Sequence, residues 1–159
     1  MNRTISPTTL AIVVATVFVL GIVPAAQAGD HDECSNATLH GSFGFTSIGT
    51  LLNLPPPLAG PFAEIGRQTF DGRGSTDATA TASPNGNITK LILQGTYVVD
   101  PDCTGSMTLA IVDPFVGPPF KADFVIDDDG TELRVIVYTQ PGSVESRVYK
   151  KQFTRGRKE

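Results

Sequence analysis

The chain has 159 residues, a formal charge of −4 and a pI near 5.1. That length allows a single domain with a substantial core, and the mild acidity leaves no basic footprint for nucleic acid. Sixteen glycines and twelve prolines against only 18% charged residues call for frequent turns and few long helices.

The chain opens with Arg3 and the amino terminus as a positive patch, followed by an uncharged apolar run over residues 10–23. Pro24 breaks the run, and Ala26-Gln27-Ala28 places small residues where a signal peptidase reads. Residues 1–28 are therefore expected to be a cleavable secretory signal, leaving 29–159 as one all-β domain that is secreted or periplasmic. The alternative is an uncleaved anchor, but a stable span needs roughly 20 apolar residues, and this run has about fourteen. No later segment is long enough to span. Cys34 and Cys103 are the only cysteines. In an oxidising compartment an even count reads as a disulfide, with free thiols or metal ligation as the alternatives.

Cleavage after Ala28 would expose Gly29-Asp30-His31. A free amine, two amide nitrogens and a third-position imidazole can wrap a square-planar ion, so Gly29, Asp30 and His31 form a candidate Cu(II) or Ni(II) site. Histidine falling third by chance is the simpler explanation.

Residues 38–49 form the first strand-like run, with Phe43 and Phe45 on one face. A proline-leucine loop over 51–61 follows, and its Pro55-Pro56-Pro57 cannot sit inside a sheet. Residues 62–71 alternate so that Phe62, Glu64, Gly66, Gln68 and Phe70 share a face, with Ile65 and Arg67 on the other. If that face turns inward, Glu64 enters an apolar cavity. Its pKa would rise, and it becomes a candidate acid, base or ligand contact. Phe62, Gln68 and Phe70 would then be ligand-binding candidates beside it.

The turn 71–74 leads to residues 75–83, where Ala78, Ala80 and Ala82 line one face, as suits a crowded interior. Asn85-Gly86 is a strong hairpin signal. Further strands are expected over 88–99, 104–112, 120–126, 131–139 and 143–153. Met107, Leu109 and Ile111 fall in step, as do Phe120, Ala122, Phe124 and Ile126, and then Leu133, Val135 and Val137. About eight strands at near-regular spacing suggest an antiparallel meander. Closure would remove its edges, so an eight-stranded barrel is expected, with a two-sheet sandwich as the alternative.

The run Ala37-Thr38-Leu39 with Gly41-Ser42-Phe43, then Thr69-Phe70-Asp71-Gly72-Arg73-Gly74, Gly95-Thr96-Tyr97-Val98-Val99 and Asp102-Cys103-Thr104-Gly105, resembles a set of small secreted bacterial proteins with no assigned role. The opening Gly-x-Phe strand and the meander also resemble calycin-type barrels, which include lipocalins and allene oxide cyclase-like proteins. Phe43 stands where the lipocalin signature has tryptophan, and no position matches a catalytic residue of the cyclases. The calycin resemblance implies a small apolar ligand or an isomerase-type reaction.

Other constellations are thin. His31 and His40 are the only histidines, and no nucleophile elbow is present, so a hydrolytic triad has no support. His40 reads as a surface or rim residue. Asp127, Asp128 and Asp129 before Gly130, and Asp100 with Asp102, could hold Ca²⁺, but solvated hairpin tips fit them better. Tyr97, Tyr138 and Arg134 are rim or cavity candidates. Asn36-Ala37-Thr38 and Asn87-Ile88-Thr89 fit the glycosylation sequon, whose use the bacterial resemblance argues against. Three functions follow as expectations: a binding module for a small apolar or amphipathic molecule, an isomerase or cyclase, and an envelope protein whose filled barrel binds nothing.

Overall fold

A computed structural model describes residues 33–138 and 142–152 of the chain, apart from the side chain of Asp128. Eight strands form a closed antiparallel barrel in sequence order. They are β1 (His40–Leu51), β2 (Gly60–Asp71), β3 (Ser75–Pro84), β4 (Thr89–Val99), β5 (Thr104–Asp113), β6 (Phe120–Asp127), β7 (Glu132–Tyr138) and β8 (Ser143–Lys151). Closure comes from β1, which pairs with β2 on one side and with β8 on the other, from Phe43↔Lys151 to Leu51↔Ser143. The two-sheet sandwich is therefore not formed.

Alternation decides which residues face in. Phe43, Phe45, Glu64, Gln68, Phe70, Leu91, Leu93, Tyr97, Met107, Leu109, Phe124, Leu133 and Val135 are all buried inside. The alternative in which Ile65 faces in is excluded, since Ile65 is 62% exposed on the outer wall. Ala78, Ala80 and Ala82 are also buried, leaving room for large side chains from the other strands.

Two inward glycines let the wall approach its own contents. A Cβ on Gly66 would lie 2.5 Å from the Thr79 carbonyl and 2.7 Å from the Phe45 ring. Gly105 lies in the same way under the Phe124 ring. Missing side chains at such positions let strands bend around a closed barrel.

The turns hold as their sequences demand. Asn85 (φ 45°) and Gly86 (φ 86°) carry consecutive positive φ angles, as a type I′ hairpin requires. After β2, Asp71 Oδ1 accepts the backbone N–H groups of Arg73, Gly74 and Ser75 at 2.7–2.9 Å. These bonds hold its carboxyl below the usual carboxylate range.

Strand directions give the barrel two unlike ends. The turns β2–β3, β4–β5 and β6–β7 lie at one end, together with the segment that enters β1. That end is plugged. A short 3-10 helix, Asn36–Thr38, precedes Leu39, which is fully buried under the barrel floor. Tyr97 donates its hydroxyl proton toward Leu39 O (3.0 Å) and Asn36 O (3.1 Å), and Asn36 Oδ1 accepts the Val99 N–H at 2.8 Å. The Cys34–Cys103 disulfide ties the plug to the β4–β5 turn, as the cysteine count anticipates.

The opposite end carries the β1–β2, β3–β4, β5–β6 and β7–β8 connections. Here Leu52, Leu54, Leu58, Ile88, Phe115 and Val116 are exposed. The proline-rich loop after β1 is held rather than free: Asn85 Nδ2 donates to Pro57 O at 2.9 Å, and Leu52 N–H to Gly142 O at 2.8 Å. This end is called the mouth below.

Candidate functional site

The interior changes character from plug to mouth. Near the plug it is filled with aromatic rings. Phe70 meets Phe43 and Tyr97 edge to face at centroid distances of 5.4 and 5.1 Å, and Phe45 lies 5.0 Å from Tyr149. These rings come from β1, β2, β4 and β8 and fill the plug half of the interior.

At mid-height a polar chain crosses the barrel. Tyr149 donates to Gln68 Oε1 (3.0 Å), Gln68 Nε2 to Thr76 Oγ1 (2.9 Å), and Thr76 Oγ1 to the Thr69 carbonyl (2.8 Å). Each donor ends on an acceptor, which is how buried polar groups are tolerated. Gln68 is thereby committed, and burial pushes the Tyr149 phenol above its ordinary pKa.

Toward the mouth lies a charged cluster. Arg147 on β8 donates Nε–H to Glu145 Oε1 at 2.6 Å, and the Ser47 hydroxyl donates to the same oxygen at 2.5 Å. Arg147 Nη2 lies 3.0 Å from Glu64 Oε2, with side-chain exposures of 4% and 1%. That contact is an ion pair without hydrogen-bond alignment, and Glu64 Oε2 accepts no hydrogen bond. The guanidinium also stands 5.2 Å from the Phe45 ring centroid and 5.5 Å from that of Phe120.

The electrostatics follow from this asymmetry. Burial raises the Glu64 pKa to about 7; Arg147 opposes the rise, and Glu145 adds to it. Burial also disfavours the charged Arg147, but its neighbours Tyr149, Glu64 and Glu145 outweigh that penalty and keep it protonated. With Glu64 neutral, one carboxylate and one guanidinium balance; with Glu64 ionised, the cluster carries one net negative charge. Around it Phe62, Ile111 and Phe120 are partly buried and pack on the core, forming an apolar collar.

The residues singled out from the sequence thus separate. Glu64 lies in the cluster and Phe62 in the collar above it, whereas Gln68 and Phe70 belong to the packed part below. Tyr97 is a floor residue. Tyr138 and Arg134 face outward, where Arg134 Nε bonds Asp127 Oδ2 at 2.6 Å. His40 is exposed, with Nδ1 3.4 Å from Asp71 O. Asp102 Oδ1 accepts from its own turn, from Thr104 N–H and Oγ1. Among the described residues no group of three or more His, Cys, Asp or Glu is placed to hold a metal ion. Gly29, Asp30 and His31 lie outside the described residues.

The sequence reading missed Arg147, Glu145 and Ser47. In β8 the outward residues include Val144 and Val148, while the inward ones are Glu145, Arg147 and Tyr149. Hydropathy alone turns this strand the wrong way round. The one available clue was complementarity: an inward Glu64 needs a cation, and Arg147 stands in phase with Tyr149.

Two shallow depressions lie on the outer wall, one around Arg67, Thr79 and Lys90 and one around Ser106, Asp123 and Arg134. Neither touches the cluster. No family model, curated protein or solved structure matches the chain. The disulfide fits an oxidising compartment, extracellular or periplasmic, and no helix among the described residues is long and apolar enough to cross a membrane.

Proposed function

We propose that the protein is an exported binding module that takes a small amphipathic molecule at the mouth of its barrel. One observation carries this reading: a carboxylate oxygen, Glu64 Oε2, is buried in the charged cluster and accepts no hydrogen bond, although Arg147 Nη2 stands 3.0 Å away. Such a group costs about 1–3 kcal/mol relative to a satisfied one. A ligand's polar end would satisfy it. The collar of Phe62, Ile111 and Phe120 and the exposed Leu54, Leu58 and Phe115 above it supply apolar surface for the rest of the ligand. Export through the leader over 1–28 agrees with the disulfide, and the closed meander agrees with the calycin resemblance.

The test uses a neutral apolar fluorophore, N-phenyl-1-naphthylamine, titrated into the purified disulfide-bonded protein. Saturable one-to-one enhancement is expected, weakened several-fold by Leu54→Ser with Phe115→Ser. Those side chains are 42% and 54% exposed, so the fold should tolerate the change. Absence of saturable binding would leave a filled envelope protein as the reading.

A second reading is favoured by one feature. A carboxyl poised at about 7 beside a fixed guanidinium can take up and return a proton at neutral pH. An isomerase or cyclase would use Glu64 in that way, and turnover abolished by Glu64→Gln with ligand affinity retained would select it over the binding module.

A further inference from the structure

We propose that the polar end of the molecule seated at the mouth is a hydrogen-bond donor, an amine or an alcohol, and not a carboxylate or another anion. This rests on the binding-module reading and narrows it to a ligand class.

The geometry of the cluster sets the sign. Arg147 is the one cation there, and it is already engaged: its Nε is bonded to Glu145, and its Nη2 faces Glu64 at 3.0 Å. Two aromatic rings, Phe45 and Phe120, cover the guanidinium. An incoming anion would meet two carboxylates, Glu64 and Glu145, against a single guanidinium that already faces both of them. The buried atom left without a hydrogen bond is an acceptor, Glu64 Oε2. The Ser47 hydroxyl does not change this balance, because it donates to Glu145. Gln68 and Tyr149, the next polar groups toward the plug, are bonded to each other.

The remaining charged groups on the elements around the cluster face away from it. On β2 and β3, Arg67 and Asp77 are outward and exposed; on β4 and β5, so are Lys90 and Asp113. On β6 and β7, Lys121, Asp123 and Arg134 are exposed; on β8, Lys150 is exposed, and Lys151, also exposed, lies at the plug end with Nζ 5.8 Å from the Phe43 ring centroid. No second buried cation among the described residues reverses the sign.

An ammonium would place its protons against Glu64 Oε2 and replace the missing donor with a charge-assisted bond, the stronger kind. An alcohol would supply one neutral donor. In both cases the alkyl or aryl body would lie along Phe62, Ile111 and Phe120.

The experiment compares three probes of equal chain length, decylamine, decan-1-ol and decanoate, by two-dimensional NMR titration of the isotope-labelled, disulfide-bonded protein at pH 8. Amide shifts at residues 62–65 and 145–147 distinguish the mouth from adhesion to the outer wall. Decylamine is expected to bind at least about tenfold tighter than decanoate, with decan-1-ol between them. At pH 5.5, where Glu64 is protonated, the advantage of the amine over the alcohol should shrink to about threefold or less. Glu64→Gln should do the same at pH 8, and the pH series stands even where that variant folds poorly. Decanoate binding at the mouth as tightly as decylamine would overturn the inference while leaving the binding module intact. Failure of all three probes and of the naphthylamine would remove both.

Discussion

Glu64 and Arg147 face each other inside the barrel at 3.0 Å, yet the carboxylate oxygen of that contact accepts no hydrogen bond. The guanidinium is turned toward Glu145, which it holds through Nε at 2.6 Å. Three buried charged groups are therefore unequally satisfied, and the consequences are measurable in the folded protein before any ligand is known.

The first concerns pH. Burial raises the Glu64 pKa from 4.5 to about 7. Between those values the folded state holds a proton that the unfolded state has released, so stability falls as pH rises through the window and levels off above it. The shift corresponds to about 3 kcal/mol. Urea midpoints at pH 5 and pH 8 should show this decline in the parent protein and little of it in Glu64→Gln.

The second concerns Arg147. Arg147→Met removes the only buried cation among the described residues and leaves Glu64 and Glu145 without it. Breaking a buried ion pair from one side costs about 3–5 kcal/mol, read as a lower urea midpoint. Adding Glu64→Gln and Glu145→Gln to the same chain should recover most of the loss. A single variant as stable as the parent would mean that the guanidinium is not holding the carboxylates.

The disulfide gives the third. Cys34 and Cys103 are separated by 69 positions. A loop of that size stabilises by about 4 kcal/mol on the chain-entropy account. Cys34→Ser with Cys103→Ser should lower unfolding stability by an amount of that order. Hydrogen exchange should speed up first at Val99, whose N–H is held by Asn36 Oδ1 in the plug.

The fourth tests the wall. Gly66→Ala would press its methyl against the Thr79 carbonyl and the Phe45 ring. Overpacking of this kind costs about 1–3 kcal/mol, and the shift should appear as a lower melting temperature. Gly86→Ala provides a contrast: nothing lies within 4 Å of an added Cβ there, and only the positive φ of 86° opposes it.

Much of this architecture was legible in the sequence, because its strands alternate strictly. Phe43 with Phe45, the alanines of β3 and the series Leu133, Val135, Val137 all turned in as their spacing implied. The Asn85-Gly86 turn and the paired cysteines were equally direct. Closure was legible only as the way to remove sheet edges; it is settled by the register between β1 and β8. The site was half legible. Glu64 announced itself as a carboxylate in step with Phe62 and Phe70. Its partners did not, because β8 hides charge and shows valine, against the usual rule for strand faces. Contacts such as Ser47 with Glu145 link positions 98 apart, and no local pattern encodes such a pairing.

The meander has an even number of strands, so β1 begins and β8 ends at the plugged floor. The described residues thus begin at Glu33 and end at Gln152 on the face opposite the mouth. A tether there, whether a leader still attached, an affinity tag or a link to a surface, would moor the barrel like a cup set on its base, with the rim turned to the surrounding fluid. Immobilising the protein through either terminus should therefore leave ligand uptake undisturbed.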